Sequence, residues 1–133
     1  MKQIVILFFG CMFFLPVFAQ VKTQPLPLKV YHTLRDSTTS MDVVIMQGKG
    51  GSLSLEGRNV KLFNSFFENK PSVKTNAPLA GNIMWQINGR EYLSGSYFLG
   101  DSTGYVVFKK DNHEYVNLLN AQGNSFFKSQ IKQ

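Results

Sequence analysis

The chain has 133 residues, a formal net charge of +6 and a hydrophobic content of 44%. This length suits one domain plus a short targeting segment, and it is sufficient to support a hydrophobic core. The basic residues are scattered along the chain, with Lys109-Lys110 as the longest run. The composition therefore excludes the clustered basic stripe that nucleic-acid-binding proteins usually carry, and we expect no nucleic-acid partner.

Residues 1–19 have the pattern of a cleaved secretory signal peptide. Lys2 precedes an almost unbroken apolar run over residues 4–18, and Val17 and Ala19 place small side chains three and one before a cut. The run is about fifteen residues, shorter than the ~20 that a spanning helix needs, so we expect no transmembrane span in the mature chain. Lipoprotein-type acylation at Cys11 is the alternative. The apolar run continues well beyond this cysteine, which favours cleavage after Ala19.

Cysteine and asparagine usage indicates the compartment. Cys11 is the only cysteine, so the exported chain would contain none and could form no disulfide. No asparagine lies in an Asn-x-Ser/Thr sequon, which disfavours a glycosylated eukaryotic protein. We interpret the chain as a bacterial protein exported to the periplasm or beyond. Its partner would then be another protein, or a glycan or lipid of the envelope.

The mature chain is predicted to begin with an extended leader and to continue as one β domain. Residues 20–28 contain two prolines and show no periodicity, and the domain covers residues 29–133. Alternation over residues 29–35 predicts a first strand. The apolar run at residues 43–46 predicts a buried strand, and residues 52–55 predict its hairpin partner across the glycine-rich loop at residues 48–51.

Residues 59–70 are ambiguous between strand and helix. The apolar run at residues 60–63 is compatible with a strand paired on residues 52–55, whereas Leu62, Phe63, Phe66 and Phe67 repeat at the spacing of a helix face. We predict a strand to about Phe63 and a short helical turn over residues 64–69. Residues 71–81 form the longest connection, which would cross between two sheets.

Residues 82–119 are predicted to form a four-strand antiparallel meander. Asn88-Gly89 and Asp111-Asn112 each separate two apolar runs, and both dipeptides tolerate the positive φ of tight hairpin turns. The resulting registers place Trp85 opposite Tyr92, Phe108 opposite Tyr115, and Lys109 opposite Glu114.

The pleat of this meander predicts two faces that are both apolar near their middle. One face would carry Trp85, Tyr92, Ser94, Ser96 and Phe98, and the other Leu93, Gly95, Tyr97 and Tyr105. An antiparallel sheet open to water should alternate apolar and polar residues. We therefore expect the remaining chain to cover the second face, or that face to bind a partner.

Residues 125–131 predict a last strand, which brings the total to about eight. The expected fold class is all-β, as a small antiparallel sandwich or a closed barrel.

The candidate binding surface lies on the less apolar face and its adjoining loop. Its residues are Tyr97, Tyr105, Lys109, Asp101 and Ser102. We expect a non-catalytic binding protein of the immunity, inhibitor or accessory type. The alternative is a carbohydrate-binding module that uses the two tyrosines, because aromatic residues are enriched in binding sites.

Catalytic and metal-binding patterns are weak. His32, Asp42 and Ser102 follow the order of chymotrypsin-like proteases, but Thr103 stands where those enzymes have glycine, and a triad depends on geometry. A small hydrolase is therefore the remote alternative. His113 and Glu114 are consecutive and would point to opposite faces of a strand. We predict no cofactor and no metal.

Overall fold

The structure, a computed structural model, describes residues 23–132. The predicted signal peptide and Cys11 lie outside the described residues. The elements in chain order are α1 (Leu28–Ser37), β1 (Ser40–Ile45), β2 (Gly51–Glu56), α2 (Arg58–Asn64), β3 (Phe67–Pro71), β4 (Leu79–Ile87), β5 (Arg90–Leu99), β6 (Gly104–Lys110), β7 (His113–Leu119) and α3 (Ala121–Ile131).

The seven strands form one antiparallel sheet in the order β2-β1-β4-β5-β6-β7-β3. The sheet is open and does not close into a barrel, and the three helices pack on one of its sides. The predicted mostly-β antiparallel class is confirmed. The second layer is helical because Leu34 of α1, Phe63 of α2 and Phe127 of α3 all join the core beneath the sheet.

The sheet curls around the helices because the connection between its two edge strands is short. Residues 57–66 join β2 to β3 at opposite edges. A flat sheet of seven strands would be roughly 29 Å wide. The connection remains coiled as far as Phe66, whose N–H donates to the Phe63 carbonyl at 3.0 Å. It can therefore span roughly 25 Å at most between the end of β2 and the start of β3. The two edges therefore approach each other on the helix side.

Both hairpin turns form as predicted. Asn88, Asp111 and Asn112 adopt positive φ of 51°, 51° and 62°. The β6–β7 register is confirmed in full, since Phe108 pairs with Tyr115 and Lys109 with Glu114. The β1–β2 hairpin across the glycine-rich loop is also confirmed.

The β4–β5 register departs from the prediction two residues after the turn. Gln86 pairs with Glu91, but Trp85 pairs with Leu93, so Tyr92 is an extra residue in a β-bulge. Because side chains alternate with period two, this single residue exchanges the two faces of the rest of β5. The predicted faces of β5 are therefore wrong: Tyr97 joins the core, whereas Ser94 and Ser96 face away from the helices.

Two predicted strands are helices. Residues 29–35 lie in α1, where Val30, Tyr31 and Leu34 pack against the core at helical spacing. The prediction of a strand at residues 125–131 is wrong for a similar reason. The Asn120 side chain caps α3 by accepting the Gly123 N–H at 2.9 Å, and Phe127 lies one turn further on the buried face.

The order of strand and helix over residues 58–71 is the reverse of the prediction. Helix α2 comes first and buries Val60, Phe63 and Asn64, and strand β3 follows it. Gly57 begins the helix with φ 60°, a conformation that glycine adopts without strain. β3 pairs with β7, and not with β2.

The core is built from aromatic rings around Trp85, which is 0% exposed. Phe67 and Phe108 pack against its indole with ring centroids at 5.4 and 5.3 Å. The indole N–H donates to the Asn64 side-chain oxygen at 3.0 Å, and the Asn64 amide donates to the Leu34 carbonyl at 3.2 Å. One buried asparagine thus joins the sheet, α2 and the end of α1.

The other side of the sheet is partly covered by residues 72–78, which we call the crossover. They lead from the edge strand β3 back to β4 and pass over β6 and β7. The Thr75 carbonyl accepts the Tyr105 hydroxyl at 3.0 Å, and Lys74 forms an ion pair with Glu114. On this side of the sheet, β1, β4, β5 and the part of β6 that carries Val107 and Lys109 remain open to solvent.

Replacing Asn64 by alanine should destabilise the fold. The substitution leaves the buried Trp85 N–H without a partner and removes the Asn64 hydrogen bond to the Leu34 carbonyl, which still accepts the Thr38 hydroxyl. We expect the free energy of unfolding to fall by about 1–3 kcal/mol. Urea unfolding followed by Trp85 fluorescence measures this. Asn59→Ala, at an exposed position of the same helix, should stay within about 0.5 kcal/mol of the wild type. Equal losses in the two variants would contradict the assigned role of Asn64.

Candidate functional site

The candidate site is a shallow cleft of about 510 Å³ on the side of the sheet that faces away from the helices. Its side chains come from alternate positions of four adjacent strands. They are Asp42 and Val44 of β1, Asn82 and Met84 of β4, Ser94 and Ser96 of β5, and Val107 and Lys109 of β6. We call this the open-face cleft.

Strand register places these side chains in two rows across the sheet. Asp42, Met84 and Ser94 are directly paired from β1 to β5, and Val44, Asn82, Ser96 and Val107 form the second row from β1 to β6. The two serines are the smallest side chains of these rows, and they lie on a central strand. The floor of the cleft is therefore low at β5, with longer side chains on either side.

The polar groups of the cleft are arranged by hydrogen bonds. The Ser96 hydroxyl donates to the Asn82 side-chain oxygen at 2.9 Å. The Asp42 carboxylate accepts one hydrogen bond from Ser54 at 2.6 Å and one from Gln86 at 3.1 Å. These bonds hold the donors and acceptors in place at the β1 end of the cleft.

Lys109 supplies the positive charge at the β6 end. Its backbone register opposite Glu114 is the predicted one, but the Glu114 carboxylate is paired with Lys74 of the crossover. Lys109 is exposed and forms no ion pair with any residue between 23 and 132. The cleft therefore carries an acidic side chain at its β1 end and a basic one at its β6 end, with Met84 between them and Val44 and Val107 in the neighbouring row.

The structure separates the five predicted binding residues. Only Lys109 lines the open-face cleft. Asp101 and Ser102 are exposed in the β5–β6 loop, where they line a different depression of about 500 Å³ beside the crossover. The Gly100 backbone of this loop is held by Asn124, which donates to its carbonyl at 3.0 Å and accepts its N–H at 3.1 Å.

The expected surface position of the two tyrosines is wrong. Tyr97 is 1% exposed and packs against Phe127 with ring centroids at 4.7 Å. Tyr105 is 5% exposed and stacks on Phe98 beneath the crossover. The bulge at Tyr92 directed Tyr97 into the core, and the crossover covered Tyr105.

Sequence reasoning missed most of the cleft. The sequence predicts Ser94 and Ser96 on the Trp85 face and does not single out Asn82 or Met84. The available signal was the Ser94-Gly95-Ser96 sequence, because three small residues are unusual in a strand whose neighbours are large and apolar. The side of the sheet on which these serines lie follows only once the bulge at Tyr92 is known.

The residues of the catalytic and metal-binding patterns lie on separate parts of the fold. His32 is exposed on α1, Asp42 bonds with Ser54 and Gln86 on the open side of the sheet, and Ser102 lies in the β5–β6 loop. In the part of the chain that the structure describes, no three His, Cys, Asp or Glu side chains are grouped closely enough to hold a metal ion. None of the helices within residues 23–132 is long and apolar enough to cross a membrane.

Comparisons with models of known protein families, with curated proteins and with solved structures find no match to this chain.

Burial raises the pKa of the Tyr97 phenol to about 12, because the charged phenolate would lose its hydration in the core. Gly81 makes room for this ring, since a Cβ there would lie 2.7 Å from it. The Tyr97 hydroxyl reaches the Val44 carbonyl at 3.4 Å, so the residue ties the strand that carries the cleft serines to β1.

The stability of the fold should decrease between about pH 10 and about pH 12. In this range the unfolded chain loses the phenolic proton that folded Tyr97 retains, so the free energy of unfolding falls by at most about 1.4 kcal/mol per pH unit. Below pH 10 this contribution is fully present. Urea unfolding over the alkaline range measures it, and Tyr97→Phe should reduce the slope. Tyr92→Phe, the matched control, should retain the slope because Tyr97 is intact. An unchanged slope in Tyr97→Phe would contradict the prediction.

Proposed function

We propose that this protein is an exported, non-catalytic binding protein that engages a protein component of the bacterial envelope through the open-face cleft. The observation that supports this most directly is the uncovered part of the sheet. The crossover covers β7 and the Tyr105 end of β6, whereas the rows that run from β1 to Val107 and Lys109 remain open to solvent. The partner that the sequence led us to expect would bind here.

The chemistry of the cleft suits recognition. Its volume of about 510 Å³ falls within the range of roughly 300–1,000 Å³ typical of ligand sites. Val44, which is 43% exposed, and Met84 provide apolar contact area. Asn82, the two serines and Lys109 provide oriented donors and acceptors around it. A mixture of this kind resembles the core and rim of a protein interface.

The arrangement supports binding over catalysis. Asp42 is the carboxylate that lines the cleft, and its two oxygens already accept hydrogen bonds from Ser54 and Gln86. A general base must lie within hydrogen-bond reach of the proton it removes, and the Ser96 hydroxyl donates to Asn82 and not to this carboxylate. Among residues 23–132, no histidine lines the cleft with these serines: His32 lies on α1, on the opposite side of the sheet, and His113 begins β7 outside the cleft. This arrangement supports a stable binding surface.

The carbohydrate-binding alternative has less support in its original form. It relied on Tyr97 and Tyr105 as an exposed aromatic platform, and both rings are buried. A glycan that bound in the open-face cleft would depend on Asn82, the serines and Lys109 for hydrogen bonds.

The proposal that the protein is exported rests on the sequence of residues 1–19 and on the absence of cysteine after Cys11. Expression of the full chain in a bacterium, followed by fractionation and mass determination, tests it. A periplasmic or secreted product that begins at Gln20 is expected. A cytoplasmic product that retains residues 1–19 would contradict the proposal.

Blocking the cleft with a long charged side chain should prevent partner binding. We expect Ser94→Arg to reduce recovery of the partner by about tenfold or more. The arginine side chain would fill the low floor of the cleft, and its charge would have to be desolvated when the partner binds. Quantitative pull-down from an envelope extract of the source bacterium, with the chain from Gln20 onward as bait, measures this.

The matched control is Ser125→Arg, which adds the same charge at an exposed position of α3. It should bind the partner as the wild type does. The proposal would be contradicted by a single stoichiometric partner that Ser94→Arg still recovers in full. Retention on a polysaccharide column that Ser94→Arg abolishes, with no protein recovered, would favour the glycan alternative.

Trp85 is fully buried, so a fluorophore on Ser96→Cys is the better optical probe of the cleft.

A further inference from the structure

The positive charge of the protein is concentrated on the helices. The three helices, together with the residue that ends α3, carry six basic side chains and one acidic one, Asp36. The six are Lys29, Arg35, Arg58, Lys61, Lys128 and Lys132. The strands and loops within residues 23–132 carry six basic and seven acidic side chains. The net positive charge of the described chain thus belongs to one side of the molecule.

This charge lies on the outer surface of the helical layer. Each helix directs most of its apolar residues into the core beneath the sheet, as Leu34, Phe63 and Phe127 show. The outer surface of α2 presents Arg58 and Lys61, both exposed. Neither of them forms an ion pair with any residue that the structure describes. Their charges are therefore available to a partner.

Three of the basic residues share one depression. Arg35, Arg58 and Lys61 line a hollow of about 420 Å³ between the end of α1 and the start of α2. Its carboxylate is Asp36, which is bound to Arg35 at 2.8 Å. The hollow retains a net positive charge. The hydroxyl groups of Thr38 and Thr39 on its wall already donate to the Leu34 and Gln86 carbonyls, so a phosphate group would be held by the charged N–H groups of Arg58 and Lys61.

Exposed leucines lie beside these charges. Leu62 follows Lys61 on α2 and is 52% exposed, and Leu28 begins α1 and is 62% exposed. Leu28 lies two helical turns before Arg35, on the same exposed ridge of α1. A surface that combines lysine and arginine with protruding leucines is the pattern of interfacial membrane binding. A soluble polyanion would attract the charges and would leave the leucines without a role.

We propose that the outer surface of the helical layer docks onto anionic phospholipid bilayers, with Arg35, Arg58 and Lys61 at the phosphate headgroups and Leu28 and Leu62 at the edge of the acyl chains. Charge complementarity attracts this side of the molecule to the membrane. The open-face cleft lies on the opposite side of the sheet, so it would remain accessible to its partner.

Vesicle co-sedimentation tests the proposal. The chain from Gln20 onward contains every described residue and lacks the apolar run that would itself insert into lipid. It should bind vesicles of phosphatidylcholine mixed with phosphatidylglycerol and should bind pure phosphatidylcholine far more weakly. Most of the binding should be lost at about 1 M salt, where the screening length falls to ~3 Å.

Charge variants locate the surface. Arg58→Gln with Lys61→Gln should reduce partitioning onto anionic vesicles by about 25-fold, since each basic residue near the surface contributes a factor of about five. Lys74→Gln removes a positive charge from the crossover, on the opposite side of the sheet, and should reduce partitioning by less than about twofold, against about fivefold for Arg58→Gln or Lys61→Gln alone. An equal loss in Lys74→Gln and in either single variant of α2 would overturn the proposal.

A fluorophore sensitive to polarity reports the depth of the leucines. On Leu62→Cys its emission should shift to the blue with anionic vesicles, whereas on Val44→Cys, within the open-face cleft, it should not. An absence of any shift at position 62 while the protein still binds anionic vesicles would assign the surface to a polyanion and overturn the membrane proposal. Failure of these experiments leaves the proposal for the open-face cleft intact, because Ser94→Arg tests recovery of a protein partner on the opposite side of the sheet.

Discussion

The fold depends on how Trp85 is held. Its indole occupies the centre of an aromatic core, and its one polar group is satisfied by Asn64, which also bonds the last turn of α1. An unpaired N–H at this depth would be costly, so the relative position of the sheet and the two helices that makes both hydrogen bonds is strongly favoured. The other buried asparagines act in the same way: Asn117 joins β7 to the leader and β3, and Asn124 joins α3 to the β5–β6 loop.

A single extra residue decides which surface faces the solvent. The bulge at Tyr92 exchanges the faces of β5, and as a result Tyr97 enters the core while Ser94 and Ser96 turn outward. Without it, two serines would be buried beneath the helices and a tyrosine would project from the open side. The open-face cleft is thus a consequence of register, because the same side chains on the other face would form no cleft.

The two sides of the sheet differ in both shape and charge. The helical side is basic and carries protruding leucines, whereas the open side combines Asp42 and Lys109 with small polar and apolar groups. The crossover sets the boundary of the open side by covering Tyr105 and by drawing Glu114 away from Lys109. A molecule arranged in this way can present one side to a bilayer and the other to a partner, and each proposal can be tested without the other.

The amino-acid sequence by itself determined the antiparallel class, both tight hairpins and the β6–β7 register, because turns such as Asn88-Gly89 depend on local backbone preference. It did not determine the helical state of residues 29–35 and 125–131, whose short amphipathic patterns suit a strand or a helix until a core selects one of them. Only the tertiary structure decided the faces of β5 and the coverage of Tyr105. Both depend on contacts between residues that are distant along the chain, such as Trp85 with Leu93 across the bulge and Thr75 with Tyr105, and no local pattern encodes them.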